Sequence, residues 1–280
     1  MDFLASIRST GSGLPSRVIV HGTEGVGKTS LAANAPGVVF LQSRGETGLE
    51  TLIDAGRLSD TPHFPEAKTW LDAKGMLEAL LNNEHSFRTL AIDTLNGLEK
   101  LCIEHTRRVF FEDDHEKFMS YGKGQAVAAN EWRELITLLD EIRSRRRMAI
   151  IGLTHTKIRT FNNPEGSDYD RFEADMSKEI WGLTLRWSDM CLFANYVTAV
   201  SKEPGANKVK GKGGRDRVLY TERHAAYDAK NRVGLPATVP MGSSGAEAWA
   251  NLSGAIKSAR AANRPAEGPK EETTDTETAA

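Results

Sequence analysis

The chain has 280 residues, 39% of them apolar and 26% charged, with a net charge of −2. That content suffices for one large core, and two cysteines, Cys102 and Cys191, far apart and outside any C-x-x-C pattern, argue against a disulfide framework or a zinc site. No stretch approaches about 18 continuous apolar residues and the N-terminus lacks the regions of a signal peptide, so a cytoplasmic protein without a membrane partner is expected.

Strand and helix signals alternate along the chain, which predicts an α/β fold with a mostly parallel sheet. Val18 to His21 reads as the first strand and Ser30-Leu31-Ala32-Ala33 as helix-forming. Val38 to Leu41, after Pro36-Gly37, is the second strand, and Leu90 to Asp93 the third. Ala126 to Arg146 places Trp132, Leu135, Leu139 and Ile142 near helical spacing. Met148 to Thr154 is a fourth strand, with later strands expected over Asp189–Ala199 and Val218–Thr221. Three polar, glycine-containing stretches, Phe111–Gly124, Lys157–Ser177 and Lys202–Arg217, read as long loops. From Glu267 onward five acids oppose one base, so the chain is expected to divide into an N-terminal extension (1–16), a core (17–255) and a disordered acidic tail (256–280).

Between the first strand and its helix lies Gly22-Thr23-Glu24-Gly25-Val26-Gly27-Lys28-Thr29, a G-x-x-x-x-G-K-[ST] phosphate-binding loop. Glycine lets backbone N–H groups approach phosphate oxygens, and the following helix adds its dipole. Gly22 through Ser30 are therefore expected to cradle a nucleotide, with Lys28 on the outer phosphates and Thr29 on Mg²⁺. A second Mg²⁺ contact is expected from the acid that ends an apolar strand, Asp93. Glu46, just past the second strand, is the candidate for orienting and deprotonating the attacking water. Should it serve only as a helix-start acid, Glu50 or neither would take the role. His155, at the end of the fourth strand, is placed to relay the state of the nucleotide to the loop that follows; the plain alternative is a satisfied polar residue.

With these pieces placed, the chain resembles the RecA-like recombinase core from about Arg17 to Pro240, and more closely the phage-encoded RecA-like ATPases that act in single-strand annealing. The resemblance is carried by Arg17-Val18-Ile19-Val20-His21-Gly22, Ala33-Asn34-Ala35-Pro36, Asp93, His155, Trp187-Ser188-Asp189, and Tyr227-Asp228-Ala229-Lys230-Asn231-Arg232 with Val233-Gly234-Leu235-Pro236. It implies a RecA-like P-loop fold, and implies that Lys230 and Arg232 reach the ATP of a neighbouring subunit in a ring or filament. It further implies that Phe111–Gly124 and Lys157–Ser177 face DNA. In that family the catalytic glutamate follows the strand end by two residues, which by direct count is Arg44; using Glu46 requires a two-residue insertion.

Lys202–Arg217 carries six bases against two acids, a composition that attracts phosphate without reading sequence. Lys123, Lys157, Arg159, Lys208, Lys210, Lys212 and Arg215 are thus the expected contacts to single-stranded DNA, with Tyr121, Phe161, Tyr169 and Phe172 as stacking candidates. The expected function is a Mg²⁺-ATP-dependent, DNA-stimulated ATPase of phage recombination and single-strand annealing in a bacterial cytoplasm. Its competitor is a nucleotide switch or loader that recruits a helicase or a single-strand-binding protein. A small-molecule kinase fits less well, because the only arginine-rich run, Arg143 to Arg147, ends a helix instead of forming a lid.

Overall fold

The computed structural model describes residues 13–201 and 210–263, with side chains described outside 198–201 and 210–213. The chain runs β1 (Arg17–Gly22), α1 (Lys28–Ala33), β2 (Val38–Gln42), α2 (Gly48–Asp54), α3 (Trp70–Asn82), β3 (Thr89–Asp93), α4 (Leu95–Phe110) and α5 (His115–Met119). It continues through α6 (Lys123–Arg145), β4 (Ala149–Phe161), β5 (Tyr169–Ala174), α7 (Lys178–Trp187), β6 (Met190–Ser201), β7 (Lys210–Tyr220), β8 (Lys230–Asn231), β9 (Thr238–Pro240) and α8 (Gly245–Ala262).

The sheet order is β2-β3-β4-β1-β6-β7-β9. The first five of these pair in parallel, while β7 pairs antiparallel with β6 and β9. Parallel strands joined by helical crossovers are covered on both faces, so they read as unbroken apolar runs. Every residue of β2 and β3 is buried. Neighbouring residues of β1 feed opposite faces: Ile19 packs with α3, α4, α6 and α7, whereas Val18 and Val20 pack with Leu31 of α1, Leu49 of α2 and Leu252 of α8.

Two ties hold the sheet, one at its amino end and one near the carboxyl end of β1. Arg17 donates to Asp189 from its backbone N at 2.9 Å and from Nη2 at 2.7 Å, joining the start of β1 to the start of β6. Asp228 accepts from Trp181 Nε1 at 3.0 Å and is paired with Arg171, while its carbonyl meets His21 Nε2 at 2.7 Å. Tyr227 stacks on Phe193 at 4.6 Å. Two of the segments that carried the resemblance thus hold the fold together.

Where they are described, the three expected loops are largely secondary structure. Phe111–Gly124 contains α5, capped by Asp114, and the start of α6. Lys157–Ser177 is mostly a hairpin: beyond the shared sheet β4 continues to Phe161 and pairs antiparallel with β5. Its tip is closed by Asn163 N donating to Asp168 Oδ1 at 3.0 Å. Alternation of Ile158 and Thr160 with charged neighbours is the strand signal hidden under the polarity of that stretch. Within Lys202–Arg217, β7 pairs with β6 from Lys210 onward, and Lys208 lies outside the described residues. The core also passes the expected boundary at 255, since α8 extends to Ala262 and buries Ala259. The acidic stretch from Glu267 lies outside the described residues.

His21 is fully buried between Trp181 and Phe193, and its pKa is pushed down to about 4. Burial is the main cause; Asp228 opposes the shift, and the charges of Lys28 and Arg171 add to it. Because the unfolded chain binds this proton near pH 6.5 and the folded chain only near 4, stability falls as pH drops through that window, by up to about 3 kcal/mol. Chemical denaturation from pH 7 to 4 should show this slope in the wild type and lose that component in His21→Gln.

Candidate functional site

The phosphate loop leaves the sheet where β1 ends. At Gly22 a Cβ would lie 2.2 Å from the Ala194 carbonyl oxygen of β6, so the loop can begin here only on glycine. Gly25 and Gly27 take φ values of 70° and 99°, a region L side chains avoid. Val26 between them is buried in the core and pins the turn. No side chain caps the amino end of α1, whereas α3, α4, α5 and α8 each have one. Its first amides are thus left for an anion in the cleft. Thr23 Oγ1 and His155 Nδ1 are buried at this rim with no partner among the described residues, which suits a polar ligand.

Lys28 curls back over the loop, its Nζ donating to the carbonyls of Gly22 and Thr23, each at 2.9 Å. Burial pushes its pKa down, against the attraction of Asp93, Glu24 and Glu46. Thr29 Oγ1 donates to Asp93 Oδ2 at 2.8 Å, bringing together the two residues expected to hold Mg²⁺. An alcohol and a carboxylate are hard oxygen donors, which fit that ion when water and phosphate complete the shell. Asp93 is 5% exposed and its pKa is pushed up to about 6, chiefly by burial, with Thr29 opposing and Glu46 adding.

Glu46 stands in the same cleft. After β2, Ser43 to Gly45 make a turn that Gly45 closes at φ 87°, and Gln42 Nε2 donates to the Glu46 carbonyl at 3.1 Å. The Glu46 carboxylate accepts from Thr94 Oγ1 at 3.0 Å and lies 3.5 Å from His155 Nε2. Its pKa is lowered, first by the hydrogen bond with His155, then by Thr94, against burial. Arg44, at the direct-count position, turns away to pair with Glu104 at 3.0 Å. The turn therefore places Glu46, and not Arg44, in the cleft beside the phosphate loop.

The strand order accounts for this convergence. β4 lies between β1 and β3, in a register that sets His155 opposite Gly22 and Leu153 opposite Asp93. Asn96 of α4 holds the end of β4 by accepting from Thr154 Oγ1 and from the His155 amide, both at 3.1 Å. The Asp93–Thr94 peptide between these elements is cis. A cleft of about 370 Å³ results, lined by Lys28, Thr29, Glu46, Asp93, His155 and, from outside the expected set, Arg217 and Arg57. Arg217 sat in the basic run that sequence reasoning assigned to DNA; only the pairing of β7 with β6 brings it here.

Lys230 has another task than the expected one. Its ammonium donates to the carbonyls of Leu185 at 2.6 Å, Arg186 at 3.1 Å and Ser188 at 2.6 Å, capping the carboxyl end of α7. It pairs with Cys191 at the start of β6, the end of the sheet remote from the phosphate loop. Arg232 is exposed at that same end. Of the expected DNA contacts, Lys157 is paired with Asp175, and Arg159 lies 3.6 Å from Glu173. Lys123 and Arg215 are exposed, and the side chains of Lys210 and Lys212 lie outside the described residues. Among the stacking candidates, Phe172 packs against Phe193, Phe161 and Tyr169 pair at 5.3 Å on the hairpin, and Tyr121 is 97% exposed.

Comparison with known proteins adds a family. The sequence pattern of the AAA domain matches residues 14–233. No curated protein matches the chain. Among solved structures, the flagellar accessory protein FlaH from Methanocaldococcus jannaschii is similar at 12% identity and a TM-score of 0.42, covering 82% of this chain and 87% of that one. No described helix is long and apolar enough to cross a membrane.

Thr94 both caps α4, accepting from the Gly97 amide at 3.1 Å, and donates to Glu46. Thr94→Val is expected to cost about 1 kcal/mol through the lost cap. It should also lower ATP turnover by more than the loss of folded protein explains. Thermal melting and turnover measured on the same preparation check both effects.

Proposed function

The chain belongs to the AAA-domain family, and from that premise we propose that it is a Mg²⁺-dependent ATPase of RecA type that binds single-stranded DNA in recombination or strand annealing. One observation carries the ATPase reading: Lys28, the Thr29–Asp93 pair and the Glu46–Thr94–His155 group meet around one phosphate loop. In this reading the loop amides and Lys28 bind the phosphates, and Thr29 and Asp93 hold the metal, which would offset charge on the outer phosphates. Glu46, kept ionised by its two hydrogen bonds, accepts the proton of the attacking water. Thr94 and His155 fix its direction. His155 is also two residues from Lys157 on a continuous strand, so a change at the nucleotide has a short, stiff path to the β4–β5 hairpin.

Support for DNA binding is the hairpin itself, with its Phe161–Tyr169 pair, together with exposed Lys123, Tyr121 and Arg215. Assembly with ATP between subunits would draw on exposed Arg232, since Lys230 is already held by α7. A second reading is favoured by the pairing of Lys157 and Arg159 with acids of their own hairpin. It is a nucleotide switch that recruits a helicase or a single-strand-binding protein while binding DNA weakly.

ATP turnover at low salt, with and without single-stranded DNA, separates the two. Lys28→Ala should lose nucleotide binding. Glu46→Gln should bind ATP yet turn over on the order of 10²-fold more slowly. Stimulation by DNA that fades with salt supports the recombination reading; turnover indifferent to DNA, with nucleotide-dependent binding of a replication protein, supports the switch.

A further inference from the structure

Arg217 approaches the phosphate loop from the flank opposite Glu46 and His155. It lies on β7, beyond β6, whereas His155 and Asp93 lie on β4 and β3, on the other side of β1. Its Nη1 donates to the Val26 carbonyl at 3.3 Å and its Nη2 to the Gly242 carbonyl at 2.8 Å. Its cross-strand partner is Tyr196, whose hydroxyl donates to the Gly25 carbonyl at 3.2 Å. A register shift between Tyr196 and Thr198 separates this pair from the outer part of the hairpin. Two adjacent loop carbonyls are therefore held by one strand pair, a link between distant segments of sequence.

A Cβ on Gly27 would lie 2.5 Å from Arg217 Nη1, so the glycine of the Gly-Lys-Thr triplet also makes room for the guanidinium. Among the described residues Arg217 makes no ion pair within 4.0 Å; Glu247, which feels its charge, accepts instead from Ser243 N at 2.8 Å and from its hydroxyl at 3.0 Å. A half-buried guanidinium with five donors and only neutral carbonyls as acceptors gains most from an anion. It lines the cleft with Gly27, Lys28, Thr29 and Ser30.

We propose that Arg217 is a binding residue, supplied by the same subunit, for the inner phosphates of a nucleoside di- or triphosphate, held in place by the Tyr196–Arg217 strand pair. The proposal rests on the nucleotide reading above and adds a division of labour to it. The flank of Glu46 and His155 acts on the terminal phosphate, while the flank of Arg217 grips what di- and triphosphate share. Binding that is equal in ground and transition states moves KM and leaves kcat alone.

The test is titration calorimetry with Mg-ADP and a non-hydrolysable Mg-ATP analogue, plus steady-state kinetics, on wild type, Arg217→Met, Arg217→Lys and Lys28→Ala. Loss of one charge-assisted contact predicts Kd for both nucleotides and KM for ATP raised about 10-fold in Arg217→Met. The expected kcat stays within about twofold of wild type, since uniform binding is removed, and Arg217→Lys recovers most of the affinity. Unchanged affinities, a loss confined to the triphosphate, or a loss that lysine does not repair would each overturn the proposal; the last would make Arg217 a brace for the loop. Should Lys28→Ala bind like wild type, the phosphate-loop reading itself fails, an outcome distinct from failure at Arg217.

Discussion

Burial of the parallel sheet on both faces is the constraint from which the rest of the molecule follows. Strands with cores above and below have no room for unpaired polar side chains along their length, so polar chemistry collects where the strands stop. β1 ends in Gly22, β2 in Gln42, β3 in Asp93, and the shared part of β4 in Thr154 and His155. Because these strands are parallel and in register, their ends lie on one edge, and residues as far apart as 22, 46, 93 and 155 become neighbours.

At that edge the groups are arranged in pairs that restrain one another. Lys28 rests on two loop carbonyls, Thr29 on Asp93, and Glu46 on Thr94 and His155. Thr94 joins this network to the scaffold, since the hydroxyl that donates to Glu46 also caps α4. Gly97 in the first turn of that helix sits so near Ser43 that a Cβ would approach its Oγ to 1.8 Å. Ser43 in turn accepts from the Thr94 amide at 3.1 Å, so the turn that carries Glu46 and the helix that orients it are locked as one unit. Such support favours rigid placement of the Glu46 carboxylate over adjustment on binding.

The cations divide by what surrounds them. Arg17, Arg171 and Lys230 serve the fold, each committed to carboxylates or to helix-end carbonyls. Lys157 and Arg159 are paired across their own hairpin. Lys28 and Arg217, like Lys230, are held by neutral carbonyl oxygens, but theirs belong to the phosphate loop itself. Both line the cleft beside that loop.

The phosphate loop, the strand ending in Asp93 and the alternating α/β pattern were legible in the sequence, because each depends on local rules: glycine where φ is positive, apolar runs where both faces are buried, an acid where a strand stops. The hairpin of β4 and β5 was read as a loop because its charged residues mask an alternation that becomes strand only when a partner segment pairs with it. By direct count the position after β2 falls to Arg44; the geometry of the Ser43–Gly45 turn, a matter of packing against α4, turns Arg44 toward Glu104 and brings Glu46 to Thr94. Lys230 and Arg217 are both basic residues in the sequence, but one caps α7 at the far end of the sheet and the other reaches the phosphate loop. Local sequence determines what a segment can become and which chemistry it carries. Whether a cation stabilises a helix end or faces a ligand depends on strand order and register, and those are settled only by the long-range pairing of a sheet buried on both faces.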